Sequence, residues 1–293
     1  MNSLPKDFVL RVDKSEGPTS HDVVRAARHA LGVRRVGHTG TLDPFASGLL
    51  LVCVGQATRL AEYLSVLDKT YDAVAQVGCA TDTLDWRGLV VYENDAWTHL
   101  DTASIESALA KFHGESEQVP PIYSAKKVSG ERAHRRARRG EHFELAPAAV
   151  TIHELELTEV ELPRVRFRLR CSSGTYVRAL ARDLGVALGV GAHLKGLRRT
   201  AIGRFHVEDA IAVDDLVDPT LVSAGMMGPL EALPHLPTLD VDKEIAARLV
   251  HGQTVQVVEP LAQGTIAIAH EGGLLAIGEF RDGTLRPRKV FVV

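Results

Sequence analysis

Between Arg164 and Cys171 apolar and basic residues alternate without a break. Val165, Phe167, Leu169 and Cys171 take one parity, and Arg164, Arg166, Arg168 and Arg170 take the other. A strict period of two belongs to a strand with one face in a core and the other in water, so the chain must build a sheet around this segment. Four guanidiniums on one outer face call for cross-strand acids, and Glu154, Glu156, Glu159 and Glu161 on the preceding candidate strand supply them.

The remaining pattern fits strands interleaved with helices. Phe8 to Val12 reads as a first strand. A helix follows, capped by Thr19 or Ser20, with Val23, Val24, Ala27, Ala30 and Leu31 on one face and Gly32 at its end. Gly48 to Val54 is an apolar run of buried-strand character, with a helix expected around residues 57–67 and a strand from Tyr71 to Val77. Ile105, Leu109 and Phe112, with Gly114 after them, mark another helix. Beyond Cys171 the strand turns into a helix that Ser173 or Thr175 can cap and that Leu184-Gly185 closes, which puts Arg178 in its first turns. Pro219, Pro229, Pro234 and Pro237 punctuate an expected linker. A small unit starts near Leu239, with a helix over residues 243–250 and short glycine-bounded strands that suggest a small barrel or sandwich.

Gly37-His38-Thr39-Gly40-Thr41-Leu42-Asp43-Pro44 is a loop by chemistry, since its glycines free the backbone and Pro44 keeps Asp43 out of helical geometry. A lone carboxylate on a stiff loop beside a buried strand suits catalysis. It equally suits an Asx-turn in which Asp43 caps its own backbone. From Lys126 to Arg139, seven cations (Lys126, Lys127, Arg132, Arg135, Arg136, Arg138, Arg139) face one acid, Glu131. Such a run is either a solvated helix face or a phosphate contact.

Composition narrows the chemistry. The formal net charge of −3 gives no global sign of a nucleic-acid partner, so any such claim rests on the local basic patch. Cys53, Cys79 and Cys171 lie far apart and form no disulfide or metal-ligand pattern, and the histidines lack ligand spacing. Phosphate-cradling glycine motifs and the G-x-S-x-G elbow are missing from the sequence. Neither a signal peptide nor an apolar run of spanning length is seen, which points to the cytoplasm and away from a membrane. Asp43, Tyr71, Tyr176, Arg178 and basic surfaces remain, a kit for polar bond chemistry on an anionic polymer.

Four segments in this order carry a resemblance: Gly37 to Pro44, Asp68-Lys69-Thr70-Tyr71, Val119-Pro120-Pro121-Ile122-Tyr123-Ser124-Ala125, and Ser173-Gly174-Thr175-Tyr176-Val177-Arg178. Together they resemble the TruB family of tRNA pseudouridine synthases, over about Phe8 to Phe205. Arg248-Leu249, Gly252-Gln253 and Pro287-Arg288-Lys289-Val290 are similar to its C-terminal PUA-like domain. The resemblance implies an α+β fold, a mixed and largely antiparallel sheet with flanking helices plus a small β-rich PUA-like domain. It implies a catalytic domain over 1–232, with an inserted basic lobe at 118–147, and an RNA-binding domain over 238–293. The activity it implies is isomerisation of the T-loop uridine, number 55 of tRNA, by base flipping and breaking and remaking the glycosidic bond. It implies no cofactor and a tRNA T-arm partner, and nothing in the sequence demands more than a monomer.

Residue by residue, the resemblance makes Asp43, Tyr71 and Arg178 catalytic, with Arg178 pairing the aspartate and Tyr71 stacking on the base. His38 would fill the space the flipped base leaves. Tyr176, Leu197 and Lys14 would line or support the uracil pocket, and Lys126, Lys127, Arg132, Arg135, Arg136 and Arg139 would meet the RNA. Two departures stand out: Ser15 holds a position where the family has proline, and His134 and Arg136 stand where aromatics are common. Two rival functions stand beside the implied activity: a non-catalytic RNA-binding or RNA-folding module that needs Arg135, Arg136 and Arg139 but not Asp43, and a carboxylate-dependent hydrolase acting on nucleosides.

Overall fold

The Arg164–Cys171 strand lies between two antiparallel neighbours, Lys69–Val77 and Ala148–Glu161. Its arginines are met by acids from both. Arg166 pairs with Glu159 at 2.8 Å and Arg170 with Glu154 at 3.0 Å, as the pattern predicts. The Lys69–Val77 strand adds Asp72, 2.8 Å from Arg168, and the residue just before it, Asp68, lies 2.9 Å from Arg170. Glu156 is in register with Arg168, but the guanidinium turns the other way, to Asp72.

In the computed structural model, residues 4–124, 126–128, 130–141, 143–257 and 262–291 are described. The large sheet runs in the order Ile211–Ala212, Phe8–Lys14, Ser47–Val54, Ala192–Ile202, Lys69–Val77, Arg164–Cys171, Ala148–Glu161, Gly114–Gln118. Most pairings are antiparallel; Ser47–Val54 with Ala192–Ile202, and Phe8–Lys14 with Ile211–Ala212, are parallel. Ser47–Val54 is apolar on both faces because both are covered. Leu49, Leu51 and Cys53 enter one core, and Leu50, Val52 and Val54 enter another, against Val23, Val24 and Ala27 of the first helix. That helix, Ser20–Leu31, starts in a capping box of Thr19 with Asp22 and ends at Gly32 in the left-handed region.

Several expectations change. The segment around 57–67 is a 3-10 turn, Gly55–Leu60, followed by a short helix, Ala61–Ser65. The helix after Cys171 runs Val177–Ala187, and its N-cap is Tyr176 without a side-chain cap bond, so neither Ser173 nor Thr175 caps it. Thr175 Oγ1 instead donates to the Ser172 carbonyl, closing the turn before the helix. Gly185 does not end the helix but lies inside it, and the packing there admits only glycine, since a Cβ would sit 2.2 Å from the Ala192 nitrogen. The proline-rich stretch is not a free linker. Pro219–Gly225 is a helix begun by Asp218 with proline in its first turn, and Met226–Met227 pairs with the first strand. Apolar side chains at Ile211, Leu216, Val222 and Met227 decide this over the prolines.

From Thr238 the chain forms a second sheet of five strands, ordered Thr238–Asp240, Gly264–His270, Gly273–Arg281, Thr284–Val290, Val255–Gln256, with the helix Lys243–Val250 packed on it. Phe291, Leu274 and Ile277 of this unit share a core with Leu60 and Leu64. Lys289 Nζ donates to the Arg59 carbonyl at 2.7 Å and pairs with Glu62, which fixes the small sheet against the large one. Among the described residues no helix is long and apolar enough to cross a membrane.

Candidate active site

Asp43 reaches its place through three short-range ties. The strand Val36–His38 pairs with Ser47–Val54 and launches the loop. Ser20 at the start of the first helix accepts from the Leu42 amide at 2.8 Å and donates to the Leu42 carbonyl at 3.2 Å, and the Gly17 amide donates to the Pro44 carbonyl at 2.7 Å. The carboxylate therefore stands on a loop held from both sides, at the floor of a cavity of about 900 Å³. The Asx-turn alternative gives way to an ion pair: Arg178 Nη2 donates to Oδ1 at 3.1 Å, and Nε lies 2.9 Å from Oδ2.

Arg178 itself is buried, and its position needs more than Asp43. Nη1 donates to the Thr83 carbonyl at 2.8 Å, Nη2 donates to the Tyr123 carbonyl at 3.0 Å, and Asp85 Oδ2 lies 3.8 Å from Nη1. The helix presents this guanidinium in its first turn because Gln118 grips Tyr176: Oε1 accepts the Tyr176 amide at 2.8 Å and Nε2 donates to its carbonyl at 3.2 Å. Burial pushes the Asp43 carboxyl above its ordinary value, Arg178 pulls it back down, and the Asp85 carboxylate pushes it up again. Asp43 side-chain exposure of 33% opens onto the cavity. The floor thus holds two carboxylates, Asp43 and Asp85, and the buried cation that most favours ionisation of Asp43 is Arg178, with Lys14 adding to it.

Tyr71 is buried in the cavity wall, on the strand next to Arg199 in the cross-strand register. Burial raises its phenol, and the Arg199 guanidinium within hydrogen-bond reach opposes that only in part. The hydroxyl therefore stays protonated at neutral pH, which suits packing against a base better than service as a phenolate base. Arg199 is almost fully buried: Nε donates to the Leu49 carbonyl at 2.7 Å and Nη2 to the Gly40 carbonyl at 3.1 Å. It joins the Asp43 loop to the tyrosine strand. Gly48 is required beside it, at φ 107°, since a Cβ there would lie 2.2 Å from the Arg199 carbonyl oxygen.

The other expected residues divide. Tyr176 and Leu197 line the same cavity. Lys14 does not; it is wholly buried behind the wall, donating to the Ser15 and Pro18 carbonyls at 2.8 and 2.9 Å, with burial lowering its ammonium to about 8. It therefore ties down the 15–18 loop, where Ser15 replaces a proline. His38 is also outside the lining, with Nδ1 buried and without a hydrogen-bond partner. Burial lowers its imidazole, and Arg199 and His21 add to this, so the ring is neutral at pH 7. Asp85 and Arg199 were not singled out from sequence. Asp85 looks like an ordinary turn aspartate, whereas Arg199 carried a usable signal, a cation on the inward parity shared with Leu197 and Ala201.

The basic lobe is less uniformly free than its sequence suggests. Arg139 is bidentate to Glu131, with both contacts at 2.7 Å, and also meets Glu141; Arg136 pairs with Glu141 and covers the Phe143 ring. Glu141, just beyond the run, supplies the second acid. Arg132 and Arg138 line the cavity mouth, while Lys126 and Arg135 are exposed outside it. The side chain of Lys127, and Ala125, lie outside the described residues.

Comparison with known proteins now bears on this geometry. The model of the TruB family pseudouridylate synthase (N terminal domain) matches residues 28–177, that of the tRNA pseudouridylate synthase B C-terminal domain 178–231, and that of Pseudouridine synthase II TruB, C-terminal, 237–291. The tRNA pseudouridine synthase B of Thermobifida fusca is 43% identical over 296 residues, covering 97% of this chain and 98% of its own. The chain belongs to the TruB family. A second TruB relative, tRNA pseudouridine synthase B of Symbiobacterium thermophilum, is 47% identical over 249 residues, covering 84% of this chain and 82% of its own. Among solved structures the TruB chain is similar to one in a Cbf5-Nop10-Gar1 complex, with TM-score 0.77, 28% identity and coverage of 98% and 85%. It is also similar to a chain of an H/ACA RNP bound to a substrate RNA containing 2'-deoxyuridine, with TM-score 0.75, 26% identity and the same coverage. Its α+β fold, a large mixed sheet with helices and a C-terminal unit, is that of the pseudouridine synthases.

Proposed function

We propose that this chain is the tRNA pseudouridine(55) synthase of its cell, an isomerase that acts in the cytoplasm as a monomer on the T-arm. The observation that carries the reading is the Asp43–Arg178 pair at the floor of a cavity wide enough for a nucleotide. The target uridine must leave its stack to reach that depth. Tyr71 then packs on the uracil, worth about 1–3 kcal/mol for a stacked base, and Leu197 and Tyr176 close the wall. His38, neutral and apolar enough to enter a base stack, takes the place of the extruded nucleotide.

Chemistry follows from the carboxylate. The N1–C1′ bond breaks, the uracil turns, C5 bonds to C1′, and the proton on C5 is lost while N1 gains one, so no atom enters or leaves. Asp43 can attack C1′, steady the positive charge that develops there, or carry a proton. Each nucleophilic or basic role needs it ionised, which is what Arg178 secures against burial. Arg132 and Arg138 at the mouth suit the phosphates beside the flipped nucleotide. The domain division we adopt is 1–232 for catalysis, with the lobe at 118–147 closing on the T-arm, and 238–293 as a PUA-like RNA-binding unit.

The test is nucleotide-resolution mapping of pseudouridine in a whole unmodified tRNA treated with the protein. Modification confined to uridine 55 supports the reading. Modification elsewhere overturns the site assignment, and release of free uracil overturns isomerisation in favour of hydrolysis.

A further inference from the structure

The turn that delivers Asp85 to the cavity also carries a tryptophan that the chemistry above does not use. Trp86 lies between two cavity-lining residues, Asp85 and Arg87, yet is 45% exposed. Its backbone is anchored. The Trp86 amide donates to the Leu194 carbonyl at 3.1 Å, the Leu194 amide donates to the Leu84 carbonyl at 3.0 Å, and Thr81 Oγ1 donates to the Asp85 carbonyl at 2.7 Å. A large aromatic held out to solvent on a fixed backbone loses little conformational entropy when something packs on it.

Two exposed cations stand at the ring. Lys195 Nζ stands 5.1 Å from the Trp86 ring centroid, and both Lys195 and Arg87 are exposed. The acids of the same turn face their own backbone: Asp82 Oδ1 accepts the Leu89 amide at 2.8 Å, and Asp85 Oδ1 accepts the Arg87 amide at 3.0 Å. An exposed indole with a cation over one face and a second cation, Arg87, beside it at the cavity rim is an arrangement that takes a nucleobase on the open face and its phosphates on the cations.

We propose that Trp86, with Lys195 and Arg87 beside it, is a stacking platform for an unpaired base of the RNA substrate, outside the cavity that takes the target nucleotide. The proposal rests on the RNA-modifying function above and deepens it, since it gives the rim of the site a second grip on the same RNA.

The experiment uses the full chain and an unmodified tRNA transcript. The sequence has two tryptophans, so Trp97→Phe leaves Trp86 as the sole indole reporter. Titrating the transcript should quench its emission. Trp86→Ala should raise Kd roughly 5- to 100-fold with the single-turnover rate at saturation unchanged. Trp86→Leu, which keeps apolar bulk but no π-face, should bind as weakly, and Trp86→Phe should recover most of the affinity. A Trp86→Ala Kd within about twofold of wild type would overturn the proposal whatever the emission does, and so would unquenched emission at saturating transcript. Pseudouridine formation by the wild-type protein, read in the same samples, keeps this outcome distinct: its absence would count against the underlying function, not the platform.

Discussion

The cavity floor and the basic lobe both hold arginines facing carboxylates, yet they are built on opposite physics. Arg178 is buried, meets Asp43 and Asp85 plus two backbone carbonyls, and has nowhere else to go. Arg136 and Arg139 make equally short contacts to Glu131 and Glu141, but in water. Contact distance alone would rank the two regions alike. Burial separates them: a buried pair left without one partner costs about 3–5 kcal/mol, while an exposed pair is worth about 0–1 kcal/mol. The floor is thus fixed before RNA arrives, and the lobe can exchange its acids for phosphates.

The largest effect that probes this contrast is expected at Arg178. Arg178→Met should lower unfolding stability by about 3–5 kcal/mol, read by denaturant titration, and should abolish turnover in the folded fraction. Arg139→Gln, its counterpart in the lobe, should cost under about 1 kcal/mol. Equal losses at both positions would erase the distinction.

A smaller effect should appear in pH dependence. Burial holds Asp43 above the ordinary carboxylate range, so its ionised, active form grows in as pH rises, and the acid limb of the single-turnover rate lies above the ordinary value of 3.8. Asp85 pushes Asp43 up, so Asp85→Asn should move that limb to lower pH. A limb that stays put or moves upward would show that Asp85 acts on something other than the charge of Asp43. At Tyr71, Phe should preserve RNA affinity while Leu weakens it by about 1–3 kcal/mol, because the contribution sought is the ring and not a phenolate. Smallest of all are the lobe cations. Charge removal at Arg132 or Arg138 should lower the slope of log K against log salt by roughly 0.7–0.9 per phosphate contact. Arg136→Gln and Arg139→Gln should change it less, since those side chains must first leave Glu131 and Glu141.

Legibility in the sequence follows the same division. Where one periodicity determines a segment, as at Arg164–Cys171, the pattern is enough; at the first helix it leaves Thr19 and Ser20 as alternative caps, and the pairing of Thr19 with Asp22 decides. The Asp43 loop was visible as chemistry, but its ion pair joins residues 135 apart in the chain, and no local rule reports that. Asp85 is hidden by resembling any turn aspartate, whereas Arg199 is legible as a cation on the inward parity of its strand. The prolines of 219–237 suggested a linker until the burial of Leu216, Val222 and Met227 outweighed them. In the lobe, counting charges over 126–139 stopped two residues short of Glu141, the acid that holds Arg136 and Arg139.

We propose that one ionised carboxylate, Asp43, does the bond chemistry while the rest of the site positions the RNA. Single-turnover pseudouridine formation in a T-arm stem-loop, with Kd measured alongside, tests it for wild type and Asp43→Asn. The account predicts a rate loss of about 10³-fold or more with Kd within about twofold, because the amide keeps the shape of the carboxylate but cannot act as nucleophile or base. Turnover retained within about tenfold by Asp43→Asn would contradict it.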